Sequence, residues 1–440
     1  MAFKRDLSMV TLETIIALCK RCGFVYPSAE IYGGLNGVYD YGPLGAALKN
    51  NIRKFWKKSL VTTDKTIVFF EGSLLGPESV WQASGHVSNF HDPMVDCLEC
   101  KKRFRADEID LEKSCPACGK KNWTAQRQFN LMFKTAVGAL EDASSVAYLR
   151  PETAQAIFIN FKNILSSNRV KIPFGVAQIG KAFRNEITPK QFLFRTREFE
   201  QMELEWFCKP ENAAPDFEYW LNQRKNFYQA IGLTEANLRF RAHEQTELAH
   251  YSASCTDVEY NFPFGWKELE GIANRGNFDL TQHSTHAKKD LSVFDDETKQ
   301  SYLPHVVECS VGADRLMLAL LCDAYSEEDI DGEKRVVLKI NPAIAPITAA
   351  LLPLSKQLNE PIHKIFKELQ HKGYAVQFDE TGSIGKRYRR QDEIGTPLCF
   401  TYDFDSTTDN TVTVRDRDTM QQERIAISHI ETVIKKKLGF

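Results

Sequence analysis

The sequence lacks several features that would assign it to other classes of protein. It contains no Gly-Lys-Ser/Thr phosphate-binding loop, which excludes a P-loop nucleotide site. Its most apolar long stretch, residues 343–354, contains two prolines and is too short to span a bilayer, so we expect no membrane association. The N-terminus has no secretory signal, because Lys20 and Arg21 interrupt the apolar residues there. Internal repeats and low-complexity tracts are absent.

An excess of charge of one sign is also missing. The net charge is only −2 at pH 7, so no overall basic field marks a histone-like or coat-like nucleic-acid binder, although a local basic patch remains compatible. The eleven cysteines are odd in number and unevenly spaced, which argues against a secreted disulfide framework and indicates a reducing compartment. We therefore expect a cytoplasmic protein. Its 440 residues, 43% hydrophobic and 26% charged, are enough for two or three globular domains.

The sharpest local pattern is a pair of Cys-x-x-Cys knuckles. Cys97 and Cys100 form the first knuckle, and Cys115 and Cys118 form the second, fourteen residues later. Four thiolates at this spacing can surround one zinc ion tetrahedrally, and no ligand position is left open for catalysis. We predict a structural zinc site that folds a zinc-ribbon-like insertion over residues 94–125.

A long-looped hairpin occupies the middle of the chain. Strand-like residues 174–179 run into residues 180–186, a loop rich in basic and aromatic residues follows, and the chain returns through residues 195–207 with apolar residues mainly at every second place. The polar positions of this hairpin alternate in sign. Arginines suit phosphate and carboxylates suit ammonium, so the hairpin could hold a zwitterion beside a nucleotide. The alternative is an ordinary hairpin with surface ion pairs.

Other elements flank the hairpin. Glu152 lies where a helix is predicted to open with Pro151 in its first turn, and it could simply interact with the helix dipole. Arg275 ends a strand, and Arg315 lies in the first turn of a strongly apolar helix, where either could reach a ligand or form a structural ion pair. Helices are also predicted over residues 7–22, 44–60 and 215–230.

A second domain is predicted beyond an acidic, glycine-containing boundary at residues 329–334. From residue 335 to 440 strands and helices alternate, which indicates a separate α/β domain. Its basic cluster consists of Lys386, Arg387, Arg389 and Arg390, and a strand with exposed-looking aromatics follows it (Phe400, Tyr402 and Phe404). We interpret this as an RNA-binding surface, the alternative being a solvated charged face.

Six short motifs in order carry a family resemblance. Two of them, FRNE and GADR, resemble motifs 2 and 3 of class II aminoacyl-tRNA synthetases. Residues 44–77 look like motif 1 of the same family. Four further motifs narrow the resemblance to the homodimeric glycyl-tRNA synthetases. The six are Tyr41–Gly45 (YGPLG), Arg150–Gln155 (RPETAQ), Phe183–Glu186 (FRNE), Arg197–Glu203 (REFEQME), Glu268–Ala273 (ELEGIA) and Gly312–Arg315 (GADR).

The resemblance implies an α+β fold. An antiparallel-sheet catalytic domain would comprise residues 1–93 and 126–330, interrupted by the zinc-binding insertion, and residues 335–440 would form an α/β anticodon-binding domain. It also implies a homodimer that uses ATP and Mg²⁺ to convert glycine to glycyl-adenylate and then transfers glycine to tRNA(Gly). Glycine's own carboxylate is the nucleophile, so no enzyme base is needed, and the sequence accordingly offers no nucleophile–base pair.

Site residues follow from the same resemblance. Arg184 and Arg315 would be catalytic, with Arg184 at the α-phosphate and Phe199 stacked on adenine. The implied nucleotide contacts are Arg184, Asn185, Glu186, Phe194, Arg195, Thr196, Arg197, Glu198, Phe199, Glu268, Leu269, Arg275, Gly312, Ala313, Asp314 and Arg315. The implied glycine contacts are Arg105, Glu152, Phe199, Glu200, Gln201, Met202, Glu203, Glu308 and Ser310.

One residue departs from the family pattern. Cys309 stands where proline usually separates the glutamate from the serine, which would loosen the strand presenting Glu308 and Ser310. Two other functions stay open on the sequence alone, a non-catalytic RNA-binding paralogue and a class II synthetase for serine or threonine. Retention of all the arginines disfavours the first, and the glutamates around the amino-acid pocket disfavour the second.

Overall fold

The computed structural model describes residues 10–139, 145–244, 246 and 253–439. The helices are α1 (Leu12–Cys22), α2 (Pro43–Val61), α3 (Glu78–Ala83), α4 (His86–Asn89), α5 (Ala154–Ile159), α6 (Phe161–Asn168), α7 (Ala213–Ile231), α8 (Phe278–Ala287), α9 (Ala313–Ala324), α10 (Asn359–His371), α11 (Ile384–Ile394), α12 (Ser406–Asp409) and α13 (Ile430–Leu438). The predicted helix over residues 7–22 is confirmed from Leu12 onward, and residues 7–9 lie outside the described part.

The strands are β1 (Val25–Pro27), β2 (Tyr39–Tyr41), β3 (Ile67–Phe69), β4 (Leu75–Pro77), β5 (His91–Asp96), β6 (Arg103–Arg105), β7 (Arg127–Asn130), β8 (Lys134–Ala136), β9 (Val146–Leu149), β10 (Phe174–Phe183), β11 (Glu198–Cys208), β12 (Leu238–Ala242), β13 (Ser254–Phe262), β14 (Gly265–Gly276), β15 (Val293–Asp295), β16 (Gln300–Tyr302), β17 (His305–Gly312), β18 (Tyr325–Ile330), β19 (Glu333–Leu338), β20 (Ala349–Pro353), β21 (Val376–Phe378), β22 (Leu398–Tyr402), β23 (Thr411–Asp416) and β24 (Gln422–Ala426). Among the described helices, none combines the length and apolar character needed to cross a bilayer.

A seven-stranded sheet forms the larger half of the molecule. Its order is β12-β13-β14-β17-β11-β10-β3, and all neighbours are antiparallel except β3, which runs parallel to β10. The predicted hairpin is β10–β11, which pairs from Phe174 opposite Phe207 to Phe183 opposite Glu198. This arrangement confirms the expected α+β class with an antiparallel catalytic sheet.

Alternation along β11 separates two faces of this sheet. Met202, Leu204 and Trp206 belong to a core formed with α2, α7 and α9, whereas Phe207 packs with α5, α6 and α8 on the other side. Residues 199, 201, 203 and 205 therefore share the face that α5 and α8 cover only in part. The site lies on this face.

Pro151 lies three residues before α5 rather than in its first turn, which corrects the predicted helix start. Residues 150–153 instead form a non-helical connection fixed by Arg150, which is 2% exposed. Its guanidinium donates to the carbonyl oxygens of Lys181 at 2.7 Å and Gly72 at 2.9 Å. The connection is thereby anchored to β10, and this sets the position of Glu152 and Thr153 over the sheet.

The C-terminal part of the chain, from β20 onward, is built on a five-stranded mixed sheet of order β21-β20-β22-β23-β24. Because β22 is its central strand, Phe400 and Tyr402 are 0% and 6% exposed, and only Phe404, beyond the strand, is open to solvent at 55%. The predicted exposed aromatic surface is therefore wrong for Phe400 and Tyr402. Residues 329–334 form the end of the β18–β19 hairpin.

Buried ion pairs tie helices to the main sheet. Arg224 of α7 and Glu270 of β14 are 2% and 0% exposed and lie 2.7 Å apart, and Tyr228 also donates to this carboxylate at 2.6 Å. Removing one partner would leave an uncompensated buried charge. Such a charge costs more than the intact pair contributes to stability.

We expect Arg224→Ala to lower the free energy of unfolding of the larger half by about 3–5 kcal/mol, because Glu270 would lose its buried cation. Urea unfolding followed by tryptophan fluorescence measures this. The matched control is Lys20→Ala, which breaks a pair with Glu30 whose side chains are about half exposed; we expect a change below about 1 kcal/mol. Equal losses in the two variants would contradict the account.

Candidate active site

An open cleft of about 120 Å³ lies where the β10–β11 hairpin, β14 and the start of α9 meet. Its lining is Arg184, Glu186, Leu193, Phe194, Arg195, Thr196, Phe199, Gln201, Glu268, Leu269, Ser310, Gly312, Asp314 and Arg315. The sequence predicted every one of these as a site residue except Leu193, whose apolar character carried no functional signal.

Two arginines are held at the walls of the cleft. The Arg184 guanidinium lies between the rings of Phe90 and Phe199, each centroid 5.2 Å away, and donates to the Pro151 carbonyl oxygen at 3.1 Å. Arg315 lies 4.4 Å from the ring of Phe194 and donates to that residue's carbonyl oxygen at 3.0 Å. Both cations are thus oriented before any substrate binds, which suits electrostatic stabilisation of phosphates.

The loop between β10 and β11 shapes the outer end of the cleft. A short 3₁₀ turn, Phe192–Phe194, tucks its side chains into the main core, so the following Arg195 and Thr196 are presented to the cleft. Arg197 does not line the cleft, because it donates to the carbonyl oxygens of Glu186 at 3.0 Å and Asn36 at 2.6 Å. It supports the loop instead of contacting a nucleotide directly.

An acidic cluster lies behind the inner end of the cleft. Gln201 donates to the Ser310 hydroxyl at 3.3 Å and accepts from the Thr153 N–H at 3.2 Å. Beyond these groups lie Glu203 and Glu308, of which Glu203 also accepts a hydrogen bond from the Thr153 hydroxyl. The arginines therefore line the cleft itself, and the predicted carboxylates lie buried next to it.

Glu152 and Glu203 differ in their electrostatics. Burial raises the pKa of Glu203 to about 8, reinforced by the negative charges of Glu308 and Glu152. Burial also opposes ionisation of Glu152, but the charge and hydrogen bond of His86, 3.3 Å away, together with Arg275, hold the pKa of Glu152 below its ordinary value. Glu152 is thus anionic at neutral pH, whereas Glu203 carries a proton until a cation arrives.

Arg275 lies beside this acidic cluster and does not line the cleft, and its assignment as a nucleotide contact stays a prediction. Its guanidinium is 4% exposed, binds Asp279 through two hydrogen bonds of 2.8 and 2.9 Å, and donates to Glu308 at 2.9 Å. Burial raises the pKa of Glu308, and this cation offsets part of that rise. Arg275 therefore positions Glu308.

Two of the residues predicted to contact glycine, Glu200 and Met202, point away from the cleft. Glu200 lies on the opposite face of β11 from Glu203, where Arg53 of α2 binds it at 2.5 Å, and Met202 lies in the main core. The period of two along a strand makes this unavoidable. The sequence motif contained both alternating sets, and only the set with odd numbers reaches the cleft.

Asp314 and Ala313 belong mainly to the fold. Asp314 is 3% exposed, accepts hydrogen bonds from Lys49 at 2.5 Å, from Tyr41 and from the Glu200 N–H at 2.7 Å, and reaches the cleft only at its edge. Burial works against its ionisation, but Lys49 and these hydrogen bonds keep the pKa of Asp314 below its ordinary value. Ala313 is buried in the main core. The start of α9 is thereby fixed to both α2 and β11.

Three other predicted contacts lie outside the cleft. Glu198 pairs with Lys181 at 2.6 Å across the hairpin, and Asn185 forms a backbone hydrogen bond with Leu131. Arg105 of the insertion binds Asp92 at 3.0 Å and Asp107 at 2.7 Å. The structure therefore gives Arg105 carboxylate partners, not a place in the glycine pocket.

Sequence reasoning missed His86 and Glu205. The His86 ring forms a hydrogen bond of 2.8 Å with the Ser84 hydroxyl and faces Glu152. A long stretch of chain separates His86 from Glu152, so no spacing rule links the two residues. Glu205 lies in the returning strand of the predicted hairpin, as one more alternating carboxylate on the face of Glu203. Strand periodicity alone could have identified it.

The four knuckle cysteines are brought together. The Sγ–Sγ distances are 3.6 Å for Cys97 and Cys118 and 3.8 Å for Cys100 and Cys115, and all four sulfurs lie within 4.8 Å of one another. Tetrahedral zinc with bonds of about 2.3 Å needs thiolates about 3.8 Å apart. Hydrogen bonds from backbone N–H groups lower the pKa of Cys97 to about 7, which favours its thiolate. The donor set therefore fits zinc.

The basic cluster of α11 is only partly available to RNA. Arg387 is 5% exposed and donates to the carbonyl oxygens of Gly382 and Pro353, so its assignment to the RNA-binding surface is wrong. Arg390 pairs with Asp379 at 2.6 Å, and Arg389 lies 4.0 Å from Glu333 with a third of its side chain exposed. Lys386 is exposed on the same helix.

Comparison with known proteins agrees with this geometry. Residues 133–351 match the family model described as "tRNA synthetase class II core domain (G, H, P, S and T)", and residues 348–437 match "Anticodon binding domain". The antiparallel sheet with its arginine-lined cleft thus defines a class II aminoacyl-tRNA synthetase core.

Whole-chain similarity narrows the family. The glycine–tRNA ligase of Caldanaerobacter subterraneus subsp. tengcongensis is 52% identical over 458 residues, covering 98% of this chain and 99% of that protein. The one from Acetivibrio thermocellus is 53% identical, and one from Bacillus cereus is 50% identical, with the same 98% of this chain covered and 99% and 100% of those proteins. The chain belongs to the glycine–tRNA ligase family.

The four-cysteine cluster generates a direct prediction. We expect the purified protein to contain about one equivalent of zinc and Cys115→Ser to lose it, because three thiolates bind zinc less tightly than four. Elemental analysis measures the zinc, and limited proteolysis should show faster cleavage within residues 94–125. Cys322→Ser, at a buried cysteine of α9, is the matched control and should keep the metal. A folded, protease-resistant insertion without metal would contradict the site.

Proposed function

We propose that this protein activates glycine with ATP to form glycyl-adenylate and then transfers the glycyl group to the 3′ end of tRNA(Gly), releasing AMP and diphosphate. The observation that carries the proposal is a cleft lined by fixed arginines, with a cluster of buried glutamates next to it behind Gln201 and Ser310. An adenylate of a small amino acid has the matching charges, anionic phosphate and cationic ammonium. Family membership supports the same reaction.

The chemistry needs placement more than acid–base catalysis. Glycine's carboxylate is already ionised and attacks the α-phosphorus in line, so the chain's contribution is orientation and charge stabilisation. We assign Arg184 to the α-phosphate and Arg315 to the outer phosphates or the base. Class II synthetases use Mg²⁺, which supplies further neutralisation of phosphate charge; the exposed carboxylate of Glu268 on the cleft lining is its proposed protein contact.

Selection of glycine is proposed to rest on crowding. Glu152, Glu203 and Glu308 with Ser310 would surround the ammonium, and the α-carbon would lie against Gln201 and Thr153 without room for a side chain. A hydrophobic pocket rejects an extra methylene only weakly. A wall of fixed polar groups rejects larger amino acids more strongly, because an added side chain would break its hydrogen bonds.

The remaining parts of the chain have proposed roles in RNA recognition and assembly. Residues 1–93 and 126–330 would form the catalytic domain, and residues 94–125 would form a zinc-stabilised insertion within it. Residues 335–440 would form the anticodon-binding domain, in which Lys386 and Arg389 would contact tRNA. The eleven unpaired cysteines support a cytoplasmic location.

A homodimer is also proposed. The apolar face of α2 does not support it, because Leu48, Ile52 and Trp56 are buried in this chain's own core. Support comes instead from exposed apolar side chains before β2, where Ile31 and Tyr32 are 89% and 87% exposed.

Amino-acid-resolved ATP–pyrophosphate exchange tests the reaction. We expect exchange with glycine, and exchange with alanine or serine to be lower by at least about 100-fold in kcat/KM. Arg184→Ala should abolish most of the activity, because the α-phosphate would lose its fixed cation. The matched control is Arg21→Ala, at an exposed arginine far from the cleft, which should exchange normally. Exchange with another amino acid but not glycine would refute the specificity.

Glycine binding should depend on pH. Since the pKa of Glu203 is raised to about 8, an ammonium group must displace its proton at lower pH. We therefore expect the KM for glycine to fall as pH rises from 6 to 8, by up to about tenfold per unit, and to level off above 8. In Glu203→Gln the KM should be high and independent of pH over that range. A flat wild-type profile would remove Glu203 from the ammonium site.

A further inference from the structure

Glu205 occupies an unusual position next to the proposed glycine pocket. It is 0% exposed, lies two residues beyond Glu203 on the same face of β11, and is directly opposite Glu308 on β17. Carboxyl oxygens of these three glutamates lie within 4.8 Å of one another. Among the described residues, no side chain or backbone N–H donates a hydrogen bond to either carboxyl oxygen of Glu205.

An ionised Glu205 would be unstable in these surroundings. A buried carboxylate without a donor loses its hydration and gains nothing in return. Its closest polar neighbours are themselves carboxyl groups, and two ionised carboxylates at such a distance repel each other. The simplest arrangement that gives these carboxyl oxygens hydrogen-bond partners has one carboxyl group protonated. Its O–H then donates a hydrogen bond to the neighbouring carboxylate, as in other paired carboxyl groups.

We propose that Glu205 is a positioning residue, held as a neutral carboxylic acid that donates a hydrogen bond to Glu308 and thereby aims that carboxylate at the ammonium group of glycine. This inference rests on the proposed function of the cleft. The proton on Glu205 is then a permanent part of the structure of the pocket. The ammonium group then meets the charges of Glu152, Glu203 and Glu308, but not a fourth charge behind them.

The groups around Glu205 support a neutral acid. Glu203 faces it from its own strand, Glu308 from β17, Arg275 from β14 and Asp279 from α8. Burial, followed by the charges of Glu308 and Glu203, raises the pKa of Glu205 well above its ordinary value, while Arg275 opposes the rise. Arg275 cannot cancel these carboxylates, because it already forms ion pairs with Asp279 and Glu308.

A divalent cation is the other occupant that three carboxylates could hold. The guanidinium of Arg275 lies 2.9 Å from Glu308 in the same cluster, so a second, doubly charged cation would be repelled there. A proton needs only one shared oxygen pair and no open coordination space. The geometry therefore favours a proton.

Two variants of Glu205 separate the possible roles in glycine-dependent pyrophosphate exchange. Glu205→Gln keeps the shape and a neutral N–H donor, so we expect the KM for glycine to stay within about threefold of wild type with kcat unchanged. Glu205→Leu fills the same space without a donor, so we expect the KM to rise by about tenfold or more while kcat changes less. Thermal melting of both variants reports folding separately.

Either of two kinetic results would overturn the proposal. If Glu205→Gln raises KM as much as Glu205→Leu, the ionised carboxylate is required. If Glu205→Leu binds glycine like wild type, Glu205 only fills space. Heat from Mg²⁺ binding to nucleotide-free wild type that is absent in Glu205→Gln would also overturn it, in favour of a metal.

Infrared absorption tests the protonation state without relying on activity. At a pH above 8, where Glu203 is ionised, wild type should keep the C=O band of a buried protonated carboxyl group, and Glu205→Gln should lose it. Absence of the band in folded wild type would refute the neutral acid. Failure of wild type to exchange with glycine while the band is present would refute the proposed function, not the protonation of Glu205.

Discussion

The hydrogen-bonded ladder through β10, β11, β17 and β14 is the constraint on which the rest depends. Because side chains alternate along a strand, this ladder gives the glutamates of β11 two separate tasks. Glu200 points toward α2 and binds Arg53, whereas Glu203 and Glu205 point to the opposite face and cluster with Glu308. A shift of one residue in register would exchange the two sets, exposing core residues to substrate and burying the pocket. Cys309 does not loosen the ladder, which pairs on both sides at that position.

Charge balance then determines what the cleft can bind. The Asp314 carboxylate, with Lys49 and Tyr41, fixes the start of α9 and so the position of Arg315. On the other face, Arg275 forms ion pairs with Asp279 and Glu308. The acidic cluster there therefore contains more carboxyl groups than cationic side chains. A substrate with an ammonium group supplies the missing positive charge. Binding of the ammonium group is in this view a consequence of electrostatics set by strand geometry, and steric exclusion of larger side chains adds the selectivity for glycine.

Sequence motifs predicted the cleft well and its periphery less well. The family resemblance predicts thirteen of the residues lining it, and most of these, among them Arg184, Phe199 and Arg315, belong to short motifs with fixed spacing. The errors have physical causes. Met202 and Glu200 were assigned by motif membership without regard to the period of two. Arg387, Phe400 and Tyr402 were judged exposed because the sequence does not show that β22 is a central strand. His86 could not be found, since its contact with Glu152 depends on tertiary folding.

The most direct test of the account is a crystal structure with a non-hydrolysable glycyl-adenylate analogue. The account predicts the ammonium group within hydrogen-bond distance of Glu203 and Glu308, and the phosphate against Arg184, all on the face of β11 that carries residues 199, 201 and 203. An ammonium group bound at Glu200 or in the insertion, or a phosphate bound away from Arg184, would contradict it.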